Sequence, residues 1–214
     1  MTEQFQKKDW SSTDWLSTHF WAKSANRIRQ MAALPIRSGD HVLDIGCGPG
    51  IYTCYVADLV GPNGSVVGID RREDSVKYAS HLLSQRGCIH AIALLSDFEA
   101  HVEEIGRYDV VMFMNSLGYF EEPLDVIKRI AEKLKPGARI IVKDYDLESI
   151  FLSPVNRKWL YELMEAAWGG NGTNNPLMFN NFFGRDVPFL SNVFSFSAKE
   201  NLVWTQLMVY PFTD

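Results

Sequence analysis

Between Val42 and Ile51 an apolar run carries an acid and then three glycines at alternate positions: Val42-Leu43-Asp44-Ile45-Gly46-Cys47-Gly48-Pro49-Gly50. Glycines at such a turn remove Cβ atoms where a ligand would approach the backbone, and a helix that follows offers unpaired N–H groups. A dinucleotide fingerprint has the spacing GxGxxG, whereas here Pro49 and Gly50 follow Gly48, so the third glycine comes one position early. Three glycines alone also suit a merely tight strand-to-helix turn. Cys47 sits inside the turn, and a nucleophilic role would need a base partner to which nothing in the sequence points, so its side chain reads as packing. Further polar residues close later apolar runs: Asp70-Arg71, Asp97, Asn115 and the group Lys143-Asp144-Tyr145-Asp146.

These residues need elements to carry them. His41 to Ile45 reads as a short buried strand, and Ile51 to Val60 as a helix closed by the turn Gly61-Pro62-Asn63-Gly64. Ser65 to Ile69 is a second strand, and Asp74 to Gln85 has helical periodicity until Arg86-Gly87 stops it. His90 to Leu95, Tyr108 to Met114 and Ala138 to Lys143 read as three more strands. Between them lie a short helix over 99–105 and a helix from Pro123 to Leu134. Five alternations with nearly continuous apolar strands predict an α/β fold, a doubly wound and mostly parallel sheet with helices on both faces. Ahead of it, Trp10, Trp15, Phe20, Trp21, Ile28, Met31 and Leu34 recur at three- and four-residue steps, which predicts two amphipathic helices. Pro154 to Trp168 reads as another helix, Gly169 to Pro176 as a polar loop, and Phe194 to Phe212 as one long strand or a hairpin at Ala198 to Asn201.

On Val42 to Gly50 the sequence resembles the class I S-adenosylmethionine (SAM) dependent methyltransferases of small-molecule type, whose first motif has the form (V/L)LD(I/V)GCGxG. The likeness runs from about residue 20 to about residue 190. It implies a Rossmann-like domain with SAM as cofactor and S-adenosylhomocysteine (SAH) as product. Asp44, Gly46, Cys47, Gly48 and Gly50 would hold the cofactor. Asp70 stands where the family has an acid that accepts from both ribose hydroxyls, with Arg71 beside it. Asp97 would take a hydrogen bond from the adenine amine, Phe98 would frame the base, and the backbone at Asn115 would line the methionine arm. Arg27 lies on the helix where relatives often bind the methionine carboxylate. One domain over 1–214 is then expected: an N-terminal helical lid over 1–36, a SAM-binding core over 37–150, and a substrate-side helix, insertion and C-terminal strand region over 151–214.

Methyl transfer from a sulfonium is an in-line displacement, so alignment and desolvation of a nucleophile are the main tasks. An oxygen nucleophile of high pKa wants a general base. His19, in the expected lid beside Phe20 and Trp21, is the first candidate, and Asp144 and Tyr145 after the fifth strand are the second. An acidic pair there could hold Mg²⁺ as in catechol methyltransferases, yet the rest of that ligand pattern is not recognisable, so no metal is expected. Asn115-Ser116-Leu117-Gly118 does not match the (D/N)PPY signature of nucleobase amino-methyltransferases. The expected acceptor is a small organic molecule methylated on oxygen, nitrogen or carbon. A protein of the same fold that binds SAM or SAH without transferring methyl, as a non-redox cyclase or a regulatory subunit, stays open beside it.

A net charge of −5 and the absence of a long basic run disfavour nucleic acid as a partner. Three cysteines without CxxC spacing suggest neither a disulfide framework nor a zinc site and fit a reducing cytoplasm. No apolar run approaches the roughly 20 residues that span a bilayer, so no membrane partner is expected. At the other end, Leu202 to Phe212 resembles the family's sixth strand and Pro211 to Asp214 the start of a helix. The chain is therefore expected to stop short of a seventh strand, which would favour a homodimer.

Overall fold

The computed structural model describes residues 12–144, 156, 158–162 and 187–188. Five strands, β1 His41–Ile45, β2 Ser65–Asp70, β3 Ala91–Leu95, β4 Val110–Met114 and β5 Arg139–Lys143, form one parallel sheet in the order β3-β2-β1-β4-β5. Five α-helices accompany them: α1 Thr13–Trp21, α2 Ser24–Ala32, α3 Ile51–Val60, α4 Glu73–Gln85 and α5 Pro123–Lys133.

The alternation of side chains along each strand divides the core between the two faces of the sheet. Val42, Val66, Val110, Met112 and Met114 pack on one side with Ile51, Val56 and Val60 of α3, Leu83 of α4 and Met31 of α2. Leu43, Ile45, Ile69, Val111 and Phe113 pack on the other with Val126, Ile127 and Ile130 of α5. Every residue of β4 is buried, as its unbroken apolar sequence VVMFM requires of a central strand covered twice. Each fully buried aliphatic side chain of this set stabilises the fold by about 1.5–3 kcal/mol.

Local signals set the helix ends. Gly50 and Gly61 bracket α3, both at positive φ, 71° and 65°. Pro123 opens α5 at a position where its missing N–H costs nothing. The Ser12 hydroxyl accepts from the Trp15 N–H to cap α1. The expected short helix over 99–105 is instead a 3₁₀ segment, Glu99–Arg107. Val102 and Ile105 are its buried residues, three apart, and a three-residue turn stacks such a pair on one side where an α-helix would splay them.

The chain leaves β1 toward β2 and β3 and then returns to place β4 and β5 on the other side, so the order in which strands are added reverses between β1 and β4. Ligands of open α/β sheets bind beyond the carboxyl ends of the strands at such a reversal. Helix α1 is fastened near that edge by α4: the Thr13 hydroxyl donates to Asp74 (2.9 Å) and shares a hydrogen bond with Ser75 (3.2 Å), and Ser17 meets the Tyr78 hydroxyl (3.2 Å). Among the described residues no helix is long and apolar enough to cross a membrane. Residues 158–162 are helical, within the segment expected to be so. The polar loop, the aromatic tail and the expected sixth strand lie outside the described residues.

Candidate functional site

The glycine turn begins where β1 ends. Gly46, Gly48 and Gly50 all take positive φ, 74°, 53° and 71°, a region where side chains are strained, and each meets a different neighbour. A Cβ on Gly46 would lie 2.5 Å from Ser116 Cβ, and one on Gly50 would lie 2.5 Å from Ala79 Cβ. These two glycines therefore let β4's loop and α4 approach the backbone, a packing reason that differs from the expected ligand clearance. Gly48 differs again. A Cβ there would meet only Leu16 Cδ1 of α1, at 3.5 Å, so α1 stands over the middle of the turn as a lid would.

Two acids hold the turn. Asp44 is wholly buried beneath it, with Oδ2 accepting from the Thr53 hydroxyl of α3 at 2.7 Å and Oδ1 without a hydrogen-bond partner. Burial pushes its carboxyl up to about 7, opposed by the Thr53 bond and helped by Asp70. Asp70, at the end of β2, accepts from the Gly48 N–H at 2.8 Å and from the Arg72 N–H at 2.9 Å. Its carboxylate thus pins the turn to the neighbouring strand end. Arg71 beside it is exposed.

Asn115 is the one non-glycine residue with positive φ (63°) among the described residues, and it directly follows β4. Strain of this kind costs about 1–3 kcal/mol and gathers at functional sites. Lys143, the last residue of β5, holds it on both sides: its carbonyl accepts from the Asn115 N–H at 2.7 Å, and its ammonium donates to Asn115 Oδ1 at 2.5 Å. The Lys143 Nζ also lies 5.8 Å from the centre of the Tyr52 ring on α3, and the Arg27 guanidinium lies 5.9 Å from the same ring. Arg27 is buried and stacks 5.0 Å over Phe20.

His19 joins this group. Its ring stacks on Trp15, and its two nitrogens meet Arg27 at 2.9 Å and Lys23 at 2.8 Å. Arg27 is a donor only, so it donates to Nδ1. Burial, then the charges of Lys23, Arg27 and Lys143, push the His19 imidazole down to about 3. A ring so weakly basic, with both nitrogens engaged, is poorly suited to the base role expected of it. Burial and Arg27 also lower the Lys23 ammonium, and burial with Arg27 pulls Lys143 down to about 7 against the opposing Asp144.

The remaining expected residues scatter. Asp144 follows Lys143 and its Oδ2 accepts, at 3.4 Å, from the Gly118 N–H. Tyr145 lies outside the described residues. Asp97 is exposed and accepts from the Ala100 N–H at 3.1 Å, capping the 3₁₀ segment. The Phe98 ring is buried between Phe120 and Arg129, so what it offers a ligand is its backbone. Cys47 is buried against Gly68, and burial, with Asp44 and Asp70 nearby, raises its thiol far above the usual range, as its packing role implies. Reading by sequence missed Lys23 and Tyr52, which lie beside these residues, and it passed over Lys143 for the acid that follows it. The position of Lys143 at the carboxyl end of an apolar strand was the available signal.

A family described as a methyltransferase domain matches residues 36–178. The demethylmenaquinone methyltransferase of Lactococcus lactis subsp. lactis (strain IL1403) is 28% identical over 188 residues, which cover 88% of this chain and 66% of the relative. The nocamycin O-methyltransferase of Saccharothrix syringae is 36% identical over 104 residues, 49% of this chain and 37% of the relative. Among solved structures, a SAM-dependent methyltransferase from Aquifex aeolicus shares the fold with a TM-score of 0.54 at 24% identity, over 76% of this chain and 89% of that one. The chain spans about two-fifths to two-thirds of the length of these two curated relatives.

Proposed function

The chain belongs to the methyltransferase domain family, and from that premise we propose that it transfers a methyl group from SAM to a small organic acceptor. The observation that carries the reading is the glycine turn at the sheet's reversal point, pinned by Asp70 and roofed by α1. Relatives that act on small molecules, the menaquinone precursor and nocamycin enzymes, support the acceptor class by their names.

The residues present fit the cofactor. The buried Asp44 Oδ1, which lacks a hydrogen-bond partner, suits a cationic group above the turn, and Asp70 suits the ribose hydroxyls. The Arg27 guanidinium suits the methionine carboxylate, and Asp97 stands at the end of β3 where the adenine amine would be met. SAM, when bound, supplies a methyl carbon made electrophilic by its sulfonium. The chain's own part is placement and exclusion of water: Asn115 and Ser116 shape the floor after β4, and α1 with Leu16 covers the turn. With His19 held neutral and engaged, its role here is to position Arg27 and Lys23.

Incubating the protein with methyl-labelled SAM and the extract from which it is purified, then separating the products by mass spectrometry, tests the reading. A small product carrying the label, with SAH formed in equal amount, supports it. SAM bound and recovered intact, with no labelled product, would favour a protein that binds the cofactor without transfer.

A further inference from the structure

Two of the three free cysteines meet inside the core. Cys54 on α3 and Cys88 in the turn that joins α4 to β3 are separated by 34 positions in the chain, yet their sulfurs lie 3.6 Å apart and both side chains are buried. Contacts on either side of Cys88 tie that turn to α3. His90 Nε2 donates to the Ala57 carbonyl at 2.8 Å, and the Arg86 guanidinium reaches the Asp58 carboxylate at 3.4 Å. The Cys88 backbone is fixed as well, its N–H donating to the Leu83 carbonyl at 3.0 Å and its own carbonyl accepting from the Ala91 N–H at 3.1 Å. Closing the gap to the about 2.0 Å of a disulfide therefore needs each sulfur to move by less than about 1 Å. Water lies close on one side, since Arg86, Gly87 and Ile89 are exposed around the buried Cys88, Ile89 to 93%. Burial and the neighbouring Cys88 raise the Cys54 thiol, so at neutral pH it keeps its proton until a reactive sulfur is presented to it.

We propose that Cys54 and Cys88 form a reversible modification site for peroxide-class oxidants, whose product is an intramolecular disulfide that staples α3 to the turn before β3. The pair takes no part in the methyl transfer proposed above. With hydrogen peroxide as oxidant, the Cys88 thiol gives up its proton and its sulfur attacks one peroxide oxygen. The O–O bond breaks, and the departing hydroxide takes up that proton, which leaves water and a sulfenic acid on Cys88. The Cys54 sulfur then attacks the sulfenic sulfur, the S–O bond breaks, and the released hydroxide takes the Cys54 proton as a second water. Two thiols are thus oxidised while one peroxide is reduced to two waters. A small neutral oxidant suits the site, because burial of both sulfurs keeps out the bulkier disulfides that would otherwise exchange with them. The bridge closes a loop that holds β2, Asp70 and α4, and α4 in turn fastens α1. Joining the ends of that loop restricts the unfolded chain, so the oxidised form is the more stable one. Cys47, held in the glycine turn with its sulfur 3.7 Å from the Gly48 carbonyl, stays a thiol.

The test uses the full chain, reduced with dithiothreitol, freed of the reductant and exposed to a small excess of hydrogen peroxide at neutral pH. After catalase removes the peroxide, the remaining thiols are alkylated in denaturant and counted by mass spectrometry, and a non-reducing digest is mapped. The expected result is alkylation at Cys47 alone, where the reduced chain is alkylated at all three cysteines, together with a peptide pair joined through Cys54 and Cys88. The bridged chain should melt roughly 5–15 °C above the reduced one, and dithiothreitol should abolish the gain. Cys88→Ser given the same treatment should show neither the link nor the gain. If that variant does not fold, Cys54→Ala serves with the same expectation, and the reversal by dithiothreitol in the parent stands without either. Three alkylated thiols after peroxide, a bridge through Cys47 or between chains, or cysteines carried on to sulfinic acid in place of the bridge would overturn the proposal. A bridged chain that melts no higher than the reduced one would overturn it as well.

Discussion

Replacing Gly50 by alanine would put a Cβ 2.5 Å from Ala79 Cβ and 3.0 Å from its Cα, at a residue whose φ is 71°. The backbone part of the cost is about 1–2 kcal/mol for an L-residue in the left-handed region. Overpacking α3 against α4 adds about 1–3 kcal/mol. The sum, about 2–5 kcal/mol, is a large share of the 5–15 kcal/mol by which domains are usually stable, and at this chain length it lowers the melting temperature by roughly 4–20 °C. Gly137→Ala separates the two parts, because its φ is 82° and nothing lies within 4 Å of the added atom. That variant should lose only the backbone part. Removing the opposing atom with Ala79→Gly costs about 1 kcal/mol of helix propensity and about 0.8 kcal/mol for the buried methyl. In the Gly50→Ala background it should recover about 1–2 kcal/mol, a coupling visible in a double-mutant cycle. Urea unfolding followed by circular dichroism measures the parent and all four variants. Equal losses for Gly50→Ala and Gly137→Ala, or strictly additive effects in the cycle, would refute the claim that Gly50 is there for the contact with α4.

Asp70→Ala should weaken SAH binding by about 1–3 kcal/mol in titration calorimetry, since the carboxylate that pins Gly48, and that we propose meets the ribose, is gone; unchanged affinity would remove Asp70 from the site. Gly46→Val should lose thermal stability along with SAH affinity, because Ser116 fills the space that the new side chain needs; normal binding would make the turn purely structural. The Asp44 carboxyl is raised from 3.8 to about 7, so the folded state holds its proton between those values, and that contribution is intact below about pH 4 and lost as pH rises through 7. Asp44→Asn should therefore gain stability relative to the parent across that window, by up to about 1.4 kcal/mol per pH unit, and a difference independent of pH would count against the buried position. His19, lowered from 6.5 to about 3, gives stability that is present above pH 6.5 and lost as pH falls toward 3. Its ring resonances should thus show no protonation above about pH 4, and a normal titration near 6.5 would contradict the cationic surroundings described.

The fold was legible where the signal is local. Helix α3 runs over the residues read for it, because an apolar stretch is bracketed by Gly50 and Gly61, and β4 follows from an unbroken apolar run and β1 from a short one broken only by Asp44. The 3₁₀ geometry of Glu99–Arg107 was not legible, since one pair of buried residues three apart fits both helix types. In the site, the turn and Asp70 could be placed because strand ends and glycines mark themselves in the chain. The partners of the glycines could not: Ala79 and Ser116 are ordinary residues that tertiary packing brings against Gly50 and Gly46. The cationic group joins Lys23 and Arg27 to Lys143, far along the chain, and of the three only Arg27 was marked by its place in the sequence. Their meeting around His19 withdraws that ring from the base role for which its isolation among the histidines had marked it.

Calorimetric titration of the protein with SAH and, separately, with NADH tests the central claim most directly. The glycine spacing and the family predict saturable binding of one SAH per chain and no heat from NADH. Binding of NADH with none of SAH would contradict it.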